Sequence, residues 1–145
     1  MDKFINQLKI AFASQYAFAI KAQNFHWNVE GIDFYQKHKM FQKIYEEVYG
    51  AVDDFAENIR KIKAYTPASL YRFSALSAVD DEVEVLEPQV MVAELLRDEE
   101  KMQEIMKVLF QEAEARGENG LSNFLADRQD AFAKHAWFLR STLKA

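Results

Sequence analysis

His26, His38, Asp53 and Glu57 are the residues of this chain whose types and spacing could do chemistry. Imidazoles and carboxylates together are donors that Fe(II) and Zn(II) accept, and a chain without cysteine offers no thiolate alternative. The four are read as a candidate metal site. Asp53 and Glu57 lie one helical turn apart, so on one helix they share a face about 6 Å from each other and could hold a common ion. His38 cannot join them there. Fifteen residues at a rise of about 1.5 Å place it about 22 Å from Asp53, whereas metal–ligand bonds measure about 2 Å. If all four bind one ion, a second copy must supply the carboxylates, antiparallel across a two-fold axis near Glu46 and Glu47. Such an interface is self-complementary and creates two equivalent sites per dimer.

The elements that must position these side chains are helices. Half of the 145 residues are hydrophobic and only four glycines and two prolines interrupt them, a composition that favours long helices in one domain spanning 1–145. A first helix is expected from Asp2 to about Asn28, with Ile5, Leu8, Phe12, Tyr16, Ala19 and Gln23 along one side and Gly31 supplying the break. Asp33 and Gln36 have capping-box spacing. From there Phe34, Phe41, Tyr45, Val48, Val52, Phe55, Ile59 and Ile62 step by threes, fours and sevens, as the buried stripe of one long helix does, with His38 in the stripe. That helix should stop at 63–66, ahead of Pro67. Leu70, Phe73 and Leu76 suggest a short helix inside the long connection, followed by a solvated acidic run at Asp80, Asp81 and Glu82. Pro88 opens a third helix to about Arg116, with Met91, Leu95, Met102, Ile105, Met106 and Leu109 as core. A fourth runs from about Leu121 to Leu143, presenting Leu121, Phe124, Leu125, Phe132, Ala136 and Leu139.

The expected fold class is therefore all-α: a ferritin-like four-helix bundle with a short extra helix in the crossover between the second and third helices. The di-iron version of that bundle places Glu-x-x-His on two helices. Here the residues three before the histidines are Gln23, Tyr35 and Phe132, so an iron centre inside the bundle is not expected.

The formal net charge of −5 opposes a surface that attracts phosphate backbones. Lys3 and Lys9 are the basic residues of the first ten, and the C-terminal RSTLKA offers Arg140 and Lys144. The opening MDKFINQLKI lacks the pattern of a secretory signal and no stretch is long enough to cross a bilayer, so a cytoplasmic protein without a membrane partner is expected.

Taken singly, each site residue has a plainer reading. A histidine in an apolar stripe is more often a satisfied core residue, and Asp53 and Glu57 resemble a solvated acidic face beside Asp54 and Glu46. The joint spacing favours the metal. His135 has no carboxylate at matching spacing and is read as structural, packed near Trp137. Gly50 costs a helix about 1 kcal/mol relative to alanine and lies near the proposed two-fold. Glu46, Glu47 and Asp54 either face a cavity or are solvated.

The segment HWNVEGIDFYQKHKMFQKIYEEVYGAVDDFAENI resembles the signature of the Dps mini-ferritins, the DNA-binding proteins from starved cells, and the likeness continues into DRQDAFAKHAWFLRS. The resemblance implies a homo-oligomer, a hollow dodecamer with ferroxidase centres between two-fold-related subunits. His26 and His38 would come from one subunit, and Asp53 and Glu57 from its neighbour. It implies iron as Fe(II) substrate and ferric product, hydrogen peroxide as the preferred oxidant, and storage of mineral inside. Trp27, beside a ligand, would sit where an oxidisable ring can accept electron holes; an ordinary interface anchor is the competing reading. Three departures stand out. Gln42 replaces the Asp that usually follows the second histidine by one turn. The pore segment ENGLSN keeps Glu118 but carries Asn119, Gly120 and Asn123 at acidic positions. The basic N-terminal tail is missing, which makes DNA binding doubtful. Two further readings remain: a DNA-coating nucleoid protein with a mainly structural metal site, and a structural zinc site, zinc being a possible substitute for iron.

Overall fold

In a computed structural model describing residues 2–144, every regular element is a helix: α1 (Asp2–Asn28), α2 (Phe34–Gly50), α3 (Val52–Lys61), α4 (Leu70–Leu76), α5 (Pro88–Ala115) and α6 (Asn119–Leu143). The turn after α1 needs Gly31, whose φ of 105° is costly for any residue with a Cβ. Phe34 N–H closes that turn on the Gly31 carbonyl at 3.1 Å, folding α2 back along α1. Gly117, at φ 71°, ends α5, where Glu118 N–H reaches the Ala113 carbonyl at 2.9 Å, and α6 returns along α5.

The stripes meet in one core. Leu8, Phe12, Phe18 and Phe25 of α1 pack with Phe41, Ile44 and Val48 of α2, Phe55 and Ile59 of α3, the methionine face of α5, and Leu121, Leu125, Phe132 and Leu139 of α6. The crossover is tied down by polar contacts rather than left loose. Ser69 caps α4 by accepting from Arg72 N–H at 3.1 Å, Ala78 N–H donates to Ser14 Oγ at 2.8 Å, and Lys101 Nζ donates to the Ala78 carbonyl at 2.6 Å. The acidic run is solvated as expected at Asp80 and Asp81, and the Glu82 carboxylate also accepts from the Glu84 N–H at 3.0 Å while its carbonyl accepts from Asn24.

Three local expectations fail. The long second helix is interrupted at Ala51 (φ −99°, ψ 0°), whose N–H reaches Val48 at 3.3 Å before the ladder resumes from Phe55 N–H to the Ala51 carbonyl. Gly50, a weak helix former, adjoins the break, so Asp53 and Glu57 ride on a helix of their own. That helix ends at Lys61, earlier than the proline rule alone implies, because Lys63 adopts a left-handed φ of 71° and caps it. The Asp33–Gln36 capping box does not form. Asp33 is itself left-handed at φ 63°, which turns its side chain away from the helix start, and it makes no side-chain cap bond.

Candidate metal centre

His26, in the last turn of α1, and His38, in the first turns of α2, face each other across the Gly31 turn. Their rings stack at 3.8 Å between centroids and 14° between planes. Each ring ties the other's backbone: His26 Nδ1–H donates to the His38 carbonyl at 2.7 Å, and His38 Nδ1–H donates to the His26 carbonyl at 2.6 Å. A carbonyl can only accept, so both imidazoles are held as Nδ1–H tautomers when neutral, and each Nε2 keeps its lone pair. Backbone-oriented imidazoles of this kind are what metal ligation requires. Phe34 stacks on the outer side of His38 at 5.1 Å and Tyr45 leans on His26 at 5.2 Å, making a four-ring sandwich.

Asp53 and Glu57 stand one turn apart on α3, both exposed. The structure thus brings together the two histidines, and places the carboxylates together, on separate elements. Among the described residues, no three His, Cys, Asp or Glu side chains of one chain converge on a common ion position. Gln42, one turn beyond His38, donates its amide to Glu46 at 2.7 Å. Trp27 points outward beside His26 and is 66 % exposed. Glu118, Asn119, Gly120 and Asn123 lie at the start of α6.

A second constellation was not visible in the spacing. His135 is read from sequence as lacking a carboxylate partner, yet its Nδ1 lies 3.3 Å from Glu99 Oε1 and its Nε2 3.6 Å from Glu47 Oε1. The partners come from α5 and α2, and spacing along one helix cannot reveal them. The rings of Phe132 and Phe138 contact His135, and Trp137, 57 % exposed, is set against Phe138. Glu47 is partly solvated and also ion-paired: Arg128 binds both its oxygens, the Nη2 contact at 3.0 Å. Arg128 Nε also donates to Gln15 Oε1, and Gln15 Nε2 to the Val48 carbonyl at 3.1 Å. A ferritin-like bundle can turn inward-facing carboxylates toward metal; in this interior the buried cations beside the carboxylates are the Arg128 guanidinium, on Glu47, and the Lys21 ammonium, 2.7 Å from Asp98. Glu99 is wholly buried, and burial holds its carboxyl well above the ordinary range despite Arg128, with Glu47 and Asp98 adding to the effect. Burial also lowers His135 to about 4, against the pull of Glu47 and with help from Arg128 and Lys134.

Residues 5–145 match the ferritin-like domain family. The chain is 30% identical over 125 residues to the DNA protection during starvation protein of Helicobacter pylori, covering 86% of this chain and 87% of that one. The chain belongs to the ferritin-like family, as a Dps-type mini-ferritin. Antigen TpF1 of Treponema pallidum is 28% identical over 130 residues, 87% of this chain and 72% of that protein. The crystal structure of that antigen superposes with a TM-score of 0.95 at 29% identity, over 99% of this chain and 93% of that one. Dps from Staphylococcus aureus shares the fold, with a TM-score of 0.94 at 24% identity and coverage of 100% and 97%. The all-α ferritin-like bundle with a short crossover helix is thus the architecture of this mini-ferritin, and among the described residues no helix is long and apolar enough to cross a membrane.

Proposed function

We propose that this mini-ferritin binds Fe(II) between two-fold-related copies, oxidises it with hydrogen peroxide and stores the ferric product inside a hollow dodecamer, limiting oxidative damage. The observation that carries the reading is the reciprocal Nδ1–carbonyl pair, which leaves two preoriented Nε2 donors while Asp53 and Glu57 sit together on another helix. His26 and His38 of one copy with Asp53 and Glu57 of the other form an imidazole–carboxylate site. Imidazole suits Fe(II), carboxylate suits the harder ferric product, and a sparse ligand set leaves room for peroxide. Exposed Ile20, Ile32, Tyr65, Leu70 and Tyr71 supply apolar surface for assembly. The formal charge of −5 weighs against transfer of the DNA-protecting role named for the Helicobacter pylori relative.

The test combines solution mass with anaerobic Fe(II) titration and a single peroxide addition, on the intact chain and on a His38→Ala, Asp53→Ala variant. The intact protein is expected to be a large oligomer that turns ferric on peroxide addition. The variant should lose iron binding and keep the assembly, because apolar burial rather than the ion holds the copies together. A monomer in solution, or Fe(II) that stays unoxidised, defeats the proposal.

A further inference from the structure

Tyr45 does more than wedge His26. Its ring contacts Tyr49 at 6.1 Å between centroids, Tyr49 meets Tyr16 edge-on at 5.7 Å, and Tyr16 stacks on Phe73 at 4.5 Å. All these separations lie within aromatic contact range. His26, Tyr45, Tyr49 and Tyr16 therefore form an unbroken file of rings leading away from the candidate iron site across α2 and α1. The rings beyond it, Phe73 and Phe12, carry no phenol, so the oxidisable part ends at Tyr16. Tyr45 and Tyr49 also follow His38 at seven and eleven residues, on the same side of α2, heading toward the end adjoining Asp53.

We infer that Tyr45, Tyr49 and Tyr16 are an electron relay that supplies the second electron when one bound Fe(II) meets one hydrogen peroxide. The inference rests on the ferroxidase reading above. Peroxide needs two electrons to become water, and one Fe(II) gives one. A second iron is poorly provided for, since Gln42 offers a neutral amide oxygen where a carboxylate would bind a hard cation more strongly. Without another donor the O–O cleavage would free a hydroxyl radical. In the relay, Fe(II) gives one electron as the O–O bond breaks, and Tyr45 gives the other together with its phenol proton. Fe(II), H2O2, one solvent proton and Tyr–OH become Fe(III), two H2O and the neutral radical Tyr–O•. The hole then moves to Tyr49 and Tyr16. A later Fe(II) and one proton restore the phenol, so two Fe(II) are consumed per peroxide overall.

The experiment loads the assembled protein anaerobically with one Fe(II) per site, adds one equivalent of peroxide, and follows freeze-quenched samples by electron paramagnetic resonance with a spin trap in parallel. A tyrosyl signal that narrows with ring-deuterated tyrosine is expected. Tyr45→Phe keeps the ring against His26 but should lose the signal and raise the trapped hydroxyl radical, with Fe(II) binding unchanged. Tyr49→Phe and Tyr16→Phe should shorten the radical's lifetime. Trp27→Phe should leave the signal intact; its disappearance there would place the hole on Trp27 and overturn the relay. Normal ferric product without a tyrosyl radical, or equal trap yields from wild type and Tyr45→Phe, also overturns it. No ferric product at all sinks the ferroxidase reading and the relay with it.

Discussion

Burial removes water from Glu99 on every side, and it is also the main influence on His135, whose Nδ1 lies 3.3 Å from Glu99 Oε1. Arg128, Glu47 and Asp98 act on Glu99, and Glu47, Arg128 and Lys134 act on His135. In the fold burial favours the neutral form of both groups, so their effects oppose each other: His135 costs stability as pH drops below 6.5, and Glu99 costs stability as pH rises above 4.5. Glu99→Gln removes that compensation. His135 then stays neutral in the fold down to about 4 whereas the unfolded histidine protonates at 6.5, and stability falls as pH drops through that window. The loss should reach about 3 kcal/mol, seen as a falling urea midpoint at fixed protein concentration. Glu99 acts in the opposite sense: ionising it is costly in the fold, so wild type loses stability as pH rises above the ordinary carboxylate range, and the variant lacks that loss. Parallel profiles for the two proteins would refute these opposed contributions. This pair also marks the limit of reading residues along a chain. The His26–His38 interval was legible because both flank one turn, while Glu99, Glu47 and His135 are brought together from three helices.

At the scale of elements, the α1–α2 corner is the device that builds the site. Gly31 sits at φ 105°, and a Cβ there meets nothing within 4 Å, so the cost of Gly31→Ala is backbone strain alone. Strain of that kind is worth about 1–3 kcal/mol. The variant should unfold at lower denaturant by that amount, and relaxation of the turn should separate the stacked imidazoles and weaken Fe(II) binding. An unchanged midpoint with unchanged iron affinity would show that the corner does not depend on glycine. Four long helices, the crossover helix and the Gly31 break were legible because period and punctuation are local signals. The Ala51 break and the unused Asp33 cap were not. A one-residue interruption leaves the apolar stripe intact on both sides, and Asp33 tolerates the left-handed region as few residues do, so the same letter fits either role.

At the scale of the whole molecule, the proposed division of the site between copies makes a quantitative demand. A His26→Ala, His38→Ala chain keeps its carboxylates, and an Asp53→Ala, Glu57→Ala chain keeps its imidazoles. Neither can build a site in its own homodimer. In a mixed dimer one site loses both halves and the other regains both, because a two-fold axis pairs each chain's imidazoles with its neighbour's carboxylates. Random re-pairing of equal amounts makes half the dimers mixed, so about a quarter of wild-type sites should return. The measurement is stoichiometric: anaerobic Fe(II) binding and peroxide-driven ferric yield for each variant alone, then after joint unfolding and refolding. Recovery only after refolding together fits sites completed by a neighbour. Activity in either variant alone, or none in the mixture despite mixed dimers by mass, means that the four residues do not serve one ion across the axis.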